Sequence, residues 1–250
     1  MRLEARLAAC VLSGLLAPAL QAQASPFYAP PAPEADAPAW GGEAELGFTR
    51  LAGNTDSRTL AAKGKLTWLT GDLTHSLGGQ VRHVTQDDRT RTERYRLVAR
   101  ERYDIDGPHY AFGFARWDKD RFGGYDHQLA AIAGYGRRLL SGDDQELSLE
   151  AGPGYRHDAV IDEADRRLGV LYGALDYRRR LNEAATLGQE LALEQTEANL
   201  TVRSQTSIRA PLGDHLALKL SHEIEYTSHP PAEATAKADR VTGVSLHYDW

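Results

Sequence analysis

Val244-Ser245-Leu246-His247-Tyr248-Asp249-Trp250, the last seven residues of the chain, alternate between apolar and polar side chains. Successive side chains of a β-strand point to opposite faces, so this alternation predicts a strand with one apolar and one polar face. A helix would instead bring together residues three and four positions apart, which this pattern does not fit. The chain therefore ends in a strand whose last side chain is the aromatic Trp250.

The same alternation recurs from Gly42 onward, in segments of about ten to fourteen residues that are separated by turn residues. In one of them, Tyr95, Leu97 and Ala99 alternate with arginines. We predict twelve strands, starting near residues 43, 58, 73, 92, 109, 127, 145, 166, 185, 199, 215 and 239. Three polar residues fall on otherwise apolar faces, and segment 166–178 fits either phase; the three are Glu101, Gln189 and His222.

A strand can cross a lipid bilayer only where its backbone groups are paired on both sides, which requires a closed barrel. Beyond the first 24 residues no apolar run approaches the length of a membrane-spanning helix. Together with the even strand count, this predicts an all-β fold, a transmembrane antiparallel β-barrel. A closing strand that ends on an aromatic residue is similar to the assembly signal of bacterial outer-membrane barrels, which here comprises Val244, Leu246, Tyr248 and Trp250.

Connections of two lengths support this topology. Tight-turn sequences follow strands 2, 4, 6, 8 and 10, for example Gly71-Asp72 and Asp106-Gly107-Pro108. Longer polar loops are predicted at the other end, over 85–91, 118–126, 157–165 and 228–238. Because outer-membrane barrels have short periplasmic turns and longer external loops, both termini are expected in the periplasm.

The N-terminal segment predicts export. Residues 1–24 combine an early basic pair, an apolar stretch from Leu7 to Leu20 and the small-residue cleavage site Ala22-Gln23-Ala24, as in a removed signal peptide. Residues 25–41 are rich in proline and alanine and predict a disordered periplasmic tail. Residues 42–250 form the predicted barrel. Cleavage also removes Cys10, the only cysteine, so disulfide and thiolate chemistry are not expected.

Aromatic residues near the predicted strand ends indicate where the membrane interfaces lie. Tyrosine and tryptophan concentrate at these interfaces, where an apolar ring meets a polar environment. The residues we assign to such girdles are Trp68, Tyr103, Tyr110, Tyr155, Tyr226, Tyr248 and Trp250.

Several glycine and aromatic motifs resemble one known family. They include Gly53-Asn54-Thr55-Asp56-Ser57, the stretch from Asp118 to Asp126, Gly134-Tyr135-Gly136 and Glu150-Ala151-Gly152-Pro153-Gly154-Tyr155-Arg156. On these motifs the chain resembles the YdiY-like family of bacterial outer membrane proteins, a domain of unknown function described as salt-induced. The resemblance covers about residues 43–250 and implies an outer-membrane barrel. It brings no catalytic residues and no cofactor.

Charged residues on the predicted inner faces are the candidate functional site. Arg94, Arg96, Arg100 and Arg102 form a basic ladder on one strand. Inward acids are predicted at Glu150, Glu190, Glu194, Glu223 and Glu225. These charges either pair across the lumen and fill it, or line a narrow pore that favours small polar or anionic solutes. The alternation alone leaves both readings open.

Two further chemistries are weaker candidates. Asp118, Asp120 and Gly123 mimic the start of a calcium loop, but Phe122 and Leu129 stand where oxygen ligands are required. An outer-membrane lipid hydrolase would need a histidine beside a hydroxyl nucleophile. His222 is its best candidate, with Ser204 and Thr206 on the same face and Ser221 on the opposite one.

Composition limits the classes of binding partner that we expect. The formal net charge of −6 and the lack of a dominant basic patch give no support to nucleic-acid binding. We predict a monomer without cofactor or metal in the bacterial outer membrane, where its partners are membrane lipids, the barrel assembly machinery and small polar or anionic solutes. It is expected to be non-enzymatic, with a structural or narrow-pore role and a link to envelope stress that comes only from the family resemblance. The alternatives are the lipid hydrolase and a soluble periplasmic β-protein.

Overall fold

The computed structural model describes residues 39–51, 57–87, 89–121, 124–230 and 237–250. Twelve strands, β1 to β12, cover most of these ranges, which confirms the predicted all-β architecture. Every predicted strand start lies within three residues of the observed one. The bounds are Trp40–Leu51, Ser57–Thr70, Leu73–Gln86, Arg89–Asp106, His109–Asp120, Tyr125–Gly142, Gln145–Val160, Arg166–Asn182, Ala185–Gln195, Leu200–Pro211, Leu216–Thr227 and Ala238–Asp249.

The strands form a closed antiparallel barrel, in which each pairs with the next and β12 returns to β1. At the closing seam, the Gly42 and Trp250 backbones exchange two hydrogen bonds of 3.1 and 3.0 Å. The Trp250 indole lies directly over Gly42, where an added Cβ would be 2.3 Å from the ring. A glycine at this position therefore lets the final aromatic side chain cover the seam.

The barrel has two unlike ends. The turn end holds Trp40, Trp250 and the short connections 71–72, 107–108, 143–144, 183–184 and 212–215. Gly71 and Gly107 have φ values of 60° and 54° there, a region that glycine adopts without steric cost. The opposite, loop end carries the connections after the odd-numbered strands, including 161–165 and 228–237.

The predicted loop over 85–91 is wrong in length, because β3 continues to Gln86 and β4 begins at Arg89. Thr85 pairs with Thr90 beyond a register shift at Val84/Thr85. The apolar face ends at Val84, whereas backbone pairing continues past it, since ladder hydrogen bonds do not depend on side-chain polarity.

The first strand also starts earlier than predicted, at Trp40. Trp40 and Gly41, assigned to the tail from the sequence, therefore belong to the barrel wall. The predicted signal peptide, the tail up to residue 38 and the 53–56 part of the glycine motif lie outside the described residues. Among the described residues, no helix is long and apolar enough to cross a membrane.

The outer wall is apolar and the interior is largely polar. Leu97 and Leu171 point outward and are 55% and 65% exposed, whereas Arg100 and Glu194 point inward and are 1% exposed. This inverts the usual arrangement of a globular protein and is the arrangement of a barrel whose outer face contacts lipid. Tyr110 was wrongly assigned to the aromatic girdle, because its ring is fully buried inside the barrel. The other six girdle aromatics are exposed, at 37–49%.

Candidate functional site in the barrel lumen

The basic ladder on β4 points into the barrel, as its spacing predicts. Arg96, Arg100 and Arg102 are buried, and Arg94 is half-buried near the loop end. Val98 occupies the central position of this inward row and is also buried. The ladder therefore consists of a loop-end pair and a turn-end pair, which have different surroundings.

The turn-end pair, Arg100 and Arg102, packs against aromatic rings. The Arg100 guanidinium lies 4.9 Å from the Phe112 ring centroid, and that of Arg102 lies 3.9 Å from the Tyr110 centroid. Such cation–π contacts are stronger where water is excluded. Arg100 also donates a hydrogen bond to the carboxylate of Glu150. These two arginines therefore fill the lumen and do not line open space.

An apolar cluster inside the barrel surrounds this pair; we call it the aromatic cluster. Its rings include Phe114 and Tyr172, which meet edge-to-face at 5.3 Å between centroids. Such a cluster closes the part of the lumen next to β4–β9 against water. Its members are Val98, Tyr110, Phe112, Phe114, Ile132, Val170, Tyr172 and Ala192.

Glycines on β6 and β7 make room for the aromatic cluster. A Cβ on Gly136 would lie 2.2 Å from the Tyr110 ring, and one on Gly154 would lie 2.4 Å from Ile132 Cγ1. Gly134 and Gly152 lie so close that a Cβ on Gly152 would be 2.6 Å from the Cα of Gly134. The Gly-Tyr-Gly and Gly-Pro-Gly motifs thus form the wall on which the cluster packs.

Glu194 is the centre of a buried ion-pair network. Arg116 Nη1 and Arg203 Nη1 donate to Glu194 Oε1 at 2.5 and 2.7 Å, and Arg156 Nη1 lies 3.7 Å from Oε2. Arg116 Nε also donates to Asp118 at 2.7 Å. Because isolated buried charges are costly, each arginine here has at least one carboxylate partner. The network fills the centre of the lumen on the loop-end side of the aromatic cluster.

The remaining lumen contains a large chamber of about 480 Å³ toward the turn end. Its wall includes the inward residues of β1 and β2, where Lys65 pairs with Glu43 at 2.7 Å. Lys219 reaches Glu45 at 2.9 Å, and Lys63, which reaches Glu223 at 2.8 Å, completes this wall. The facing wall is formed by β8, β9 and β10.

A smaller cavity of about 100 Å³ lies toward the loop end. Arg96 lines both this loop-end cavity and the large chamber, and it is ion-paired with Asp118. Arg94 also lines the loop-end cavity and pairs with Asp120 and, at 3.5 Å, with Glu225. The side chain of Arg96 thus borders both spaces.

The structure places the predicted lumen residues in four environments. Arg100, Arg102, Glu150 and Glu194 are packed into the filled part of the lumen. Glu190 lines the large chamber, Arg94 and Glu225 line the loop-end cavity, Arg96 lines both, and Glu223 lines a third cavity of about 40 Å³.

The sequence reasoning missed several inward-facing charged residues, two of which, Asp118 and Asp120, are partners of the ladder. They lie at inward positions of their strands, so the alternation itself would have identified them: Arg116, Asp118, Asp120, Arg156, Asp158 and Asp176. Asp118 and Asp120 were considered only as loop cation ligands. They belong to β5 and pair with Arg96 and Arg94, which leaves them no part in a loop site.

The outer face carries the other candidates. Val244, Leu246 and Tyr248 point outward on β12, as does Trp250 directly after it, and all four are 44–51% exposed. His222 also faces outward, and its Nδ1 is 2.8 Å from the hydroxyl of Thr242. Ser204 instead accepts a hydrogen bond from Gln189 at 3.0 Å, and Ser221 is buried inside. Thr206, the cross-strand partner of His222, donates its hydroxyl to Gln189 Oε1 at 2.5 Å. Among the described residues, neither Ser204 nor Thr206 is hydrogen-bonded to His222, so these residues do not form the histidine–hydroxyl pair that the hydrolase alternative requires.

Comparison with known proteins gives the same picture of the fold. The protein is 30% identical to the uncharacterized protein YdiY of Escherichia coli strain K12, over 83% of this chain and 82% of that protein. An outer membrane channel from Pseudomonas putida F1 superposes with a TM-score of 0.55 at 10% identity, covering 90% of this chain and all of the channel.

The translocator domain of the autotransporter NalP from Neisseria meningitidis has a TM-score of 0.49 at 13% identity, covering 84% of this chain and 87% of that one. The family model for a protein of unknown function, DUF481, matches residues 44–250. The chain therefore belongs to the DUF481 family.

Proposed function

We propose that this protein is a narrow passive pore for small polar solutes in the bacterial outer membrane. One observation carries the proposal: Arg96 lines both the large chamber and the loop-end cavity. Arg96 therefore borders two spaces that lie toward opposite ends of the barrel. Movement of one long, flexible side chain would join them.

The charges around Arg96, where the two spaces meet, are nearly balanced. The loop-end cavity is lined by Arg94, Arg96, Arg156, Arg203 and Lys237 and by Asp118, Asp120, Glu225 and Asp239. The basic ladder alone would favour anions, but its carboxylate partners offset most of that field. We propose that the pore selects by size and polarity, with only a weak preference for anions.

The outer surface supports the membrane location. A soluble protein rarely exposes apolar patches of this extent, whereas a lipid-facing wall requires them. We propose that residues 1–24 direct export to the periplasm and are then removed by cleavage. The barrel assembly machinery recognises the Val244–Trp250 segment and inserts the barrel as a monomer. The turn end then faces the periplasm. The link to envelope stress stays a prediction from the family.

Single-channel conductance in a planar bilayer tests the pore. Arg96→Ala shortens the side chain that borders both spaces, so we expect a conductance at least twice that of the unaltered protein. Arg167→Ala, which removes an exposed arginine from the outer face, serves as the matched control and should leave the conductance unchanged. A protein that inserts but never conducts, even as Arg96→Ala, would refute the pore and leave a structural role.

A further inference from the structure

The wall of the large chamber contains a small recess on β8, β9 and β10. Gly188 and Ser207 are cross-strand partners that both line the chamber. An added Cβ on Gly188 would lie 2.9 Å from Ser207 Oγ, so the recess depends on the missing side chain. Charged residues of opposite sign stand at its two ends.

The end nearer the loop side is acidic. Asp176 and Glu190 are cross-strand partners that both line the chamber, and neighbouring Cβ atoms in such pairs are roughly 5 Å apart. Arg178, the cross-strand partner of Gly188 on β8, donates to Asp176 at 3.1 Å, so two carboxyl groups and one guanidinium meet at this end. Gln205 Nε2 donates to Glu190 at 3.4 Å.

The turn-side end is basic. Arg209 lies four residues beyond Gln205 on β10, about 13 Å further along the strand. In the described part of the chain, no hydrogen bond or ion pair within 4 Å is found for the Arg209 guanidinium. Glu43 lies within its electrostatic range, and Lys219 is its cross-strand partner on β11. A guanidinium that lines a chamber without a partner is a donor fork suited to a carboxylate.

A second, independent polar group on the chamber wall lacks a partner. The His247 side chain is only 4% exposed, and among the described residues its Nε2 atom has no hydrogen-bond partner. The nearest carboxylate oxygen, on Glu43, is 3.9 Å away. Since buried polar groups are normally hydrogen-bonded, this atom is available to a polar molecule in the chamber, water included.

We propose that the recess binds a small zwitterion, with its ammonium group against Asp176 and Glu190 and its carboxylate against Arg209. A simple anion would be repelled at the acidic end, and a simple cation would be repelled by Arg209. A volume of about 480 Å³ is in the range of small-molecule sites. The inference rests on the proposed pore, which would deliver the solute to the recess, and it names the chemical class of that solute.

Isothermal titration calorimetry on the full-length mature protein, refolded in detergent, tests the site. The probes are β-alanine, acetate and methylammonium at constant ionic strength. We expect β-alanine to bind at least tenfold more tightly than either single-charge probe, because a hydrogen bond to a charged group contributes a tenfold factor or more. Arg209→Gln should weaken β-alanine binding about tenfold on the same grounds.

Two further variants complete the test, one as a control and one that fills the recess. Arg179→Gln removes an exposed arginine from the outer face of β8 and should leave binding unchanged. Gly188→Ala fills the recess without altering charge and should weaken β-alanine binding at least fivefold. A heat-dependent gel shift establishes that each variant is folded before titration.

Equal affinity for β-alanine and acetate, no measurable binding of β-alanine, or equal behaviour of Arg209→Gln and Arg179→Gln would overturn the zwitterion site. Because binding in detergent does not require conduction, the two proposals fail separately. β-Alanine binding without conductance refutes the pore alone, whereas conductance without selective binding refutes the recess alone.

Discussion

Glu150→Gln tests whether the filled half of the lumen is held by a buried ion pair. Glu150 and Arg100 have side chains that are 0% and 1% exposed. The substitution keeps the shape of the side chain and removes its charge, so the guanidinium loses the carboxylate that balances it. Phe112 and Phe114 still face that guanidinium, at 4.9 and 5.5 Å from their ring centroids.

The expected cost follows from these surroundings. Removing one partner of a buried ion pair costs about 3–5 kcal/mol, and the two rings retain a cation–π attraction of roughly 0.5–2 kcal/mol. We therefore expect a loss near the lower limit, about 3 kcal/mol. Replacing both partners, as Arg100→Met with Glu150→Gln, should cost only about 1 kcal/mol, since no charge is left unbalanced.

Urea-induced unfolding in lipid vesicles, followed by tryptophan fluorescence, measures these free energies. Glu101→Gln is the matched control, because Glu101 is on the same barrel but outward-facing, 59% exposed and paired with His75. Its loss should cost less than about 1 kcal/mol. The reasoning is refuted if Glu150→Gln is no more destabilising than Glu101→Gln, or if the double variant is as unstable as Glu150→Gln alone.

Two glycine substitutions test the packing by the same unfolding assay. Gly152→Ala would place a Cβ 2.1 Å from a backbone oxygen of β6 and should cost at least about 3 kcal/mol, whereas Gly169→Ala, with nothing within 4 Å, should change stability by less than about 0.5 kcal/mol. Gly42→Ala should displace the Trp250 ring from the β1–β12 seam. We expect the yield of heat-resistant barrel on refolding to fall at least twofold. A yield equal to that of Gly169→Ala would contradict the proposal that the Trp250 ring stabilises the seam.

The architecture could be predicted from the sequence because a strand has a period of two. Alternation located all twelve strands, and closure followed because lipid tolerates no unpaired backbone edge. Segment 166–178 was ambiguous for a physical reason. On β8, Leu168, Val170 and Tyr172 point inward, two of them into the aromatic cluster, so both faces of the strand are apolar there.

The content of the lumen could be predicted only in part. Alternation identifies inward arginines but gives no information on which acid each one meets. Arg100 and Glu150 are 50 residues apart in sequence, and Arg116 and Glu194 are 78 apart. Their pairing depends on how side chains cross the barrel interior, which strand register alone does not determine. The large chamber is the part of the lumen that the aromatic cluster and the ion pairs leave unfilled, so its position could not be predicted from the alternation either.

Cysteine modification at Ser207 tests the central claim that the conducting path runs through the large chamber. The mature chain expected after cleavage lacks cysteine, so Ser207→Cys introduces one thiol, and Ser204→Cys places a matched thiol on the outward face of the same strand. A charged methanethiosulfonate reagent should reduce the single-channel current of Ser207→Cys by at least half and leave that of Ser204→Cys unchanged. An undiminished current through modified Ser207→Cys channels would contradict the account.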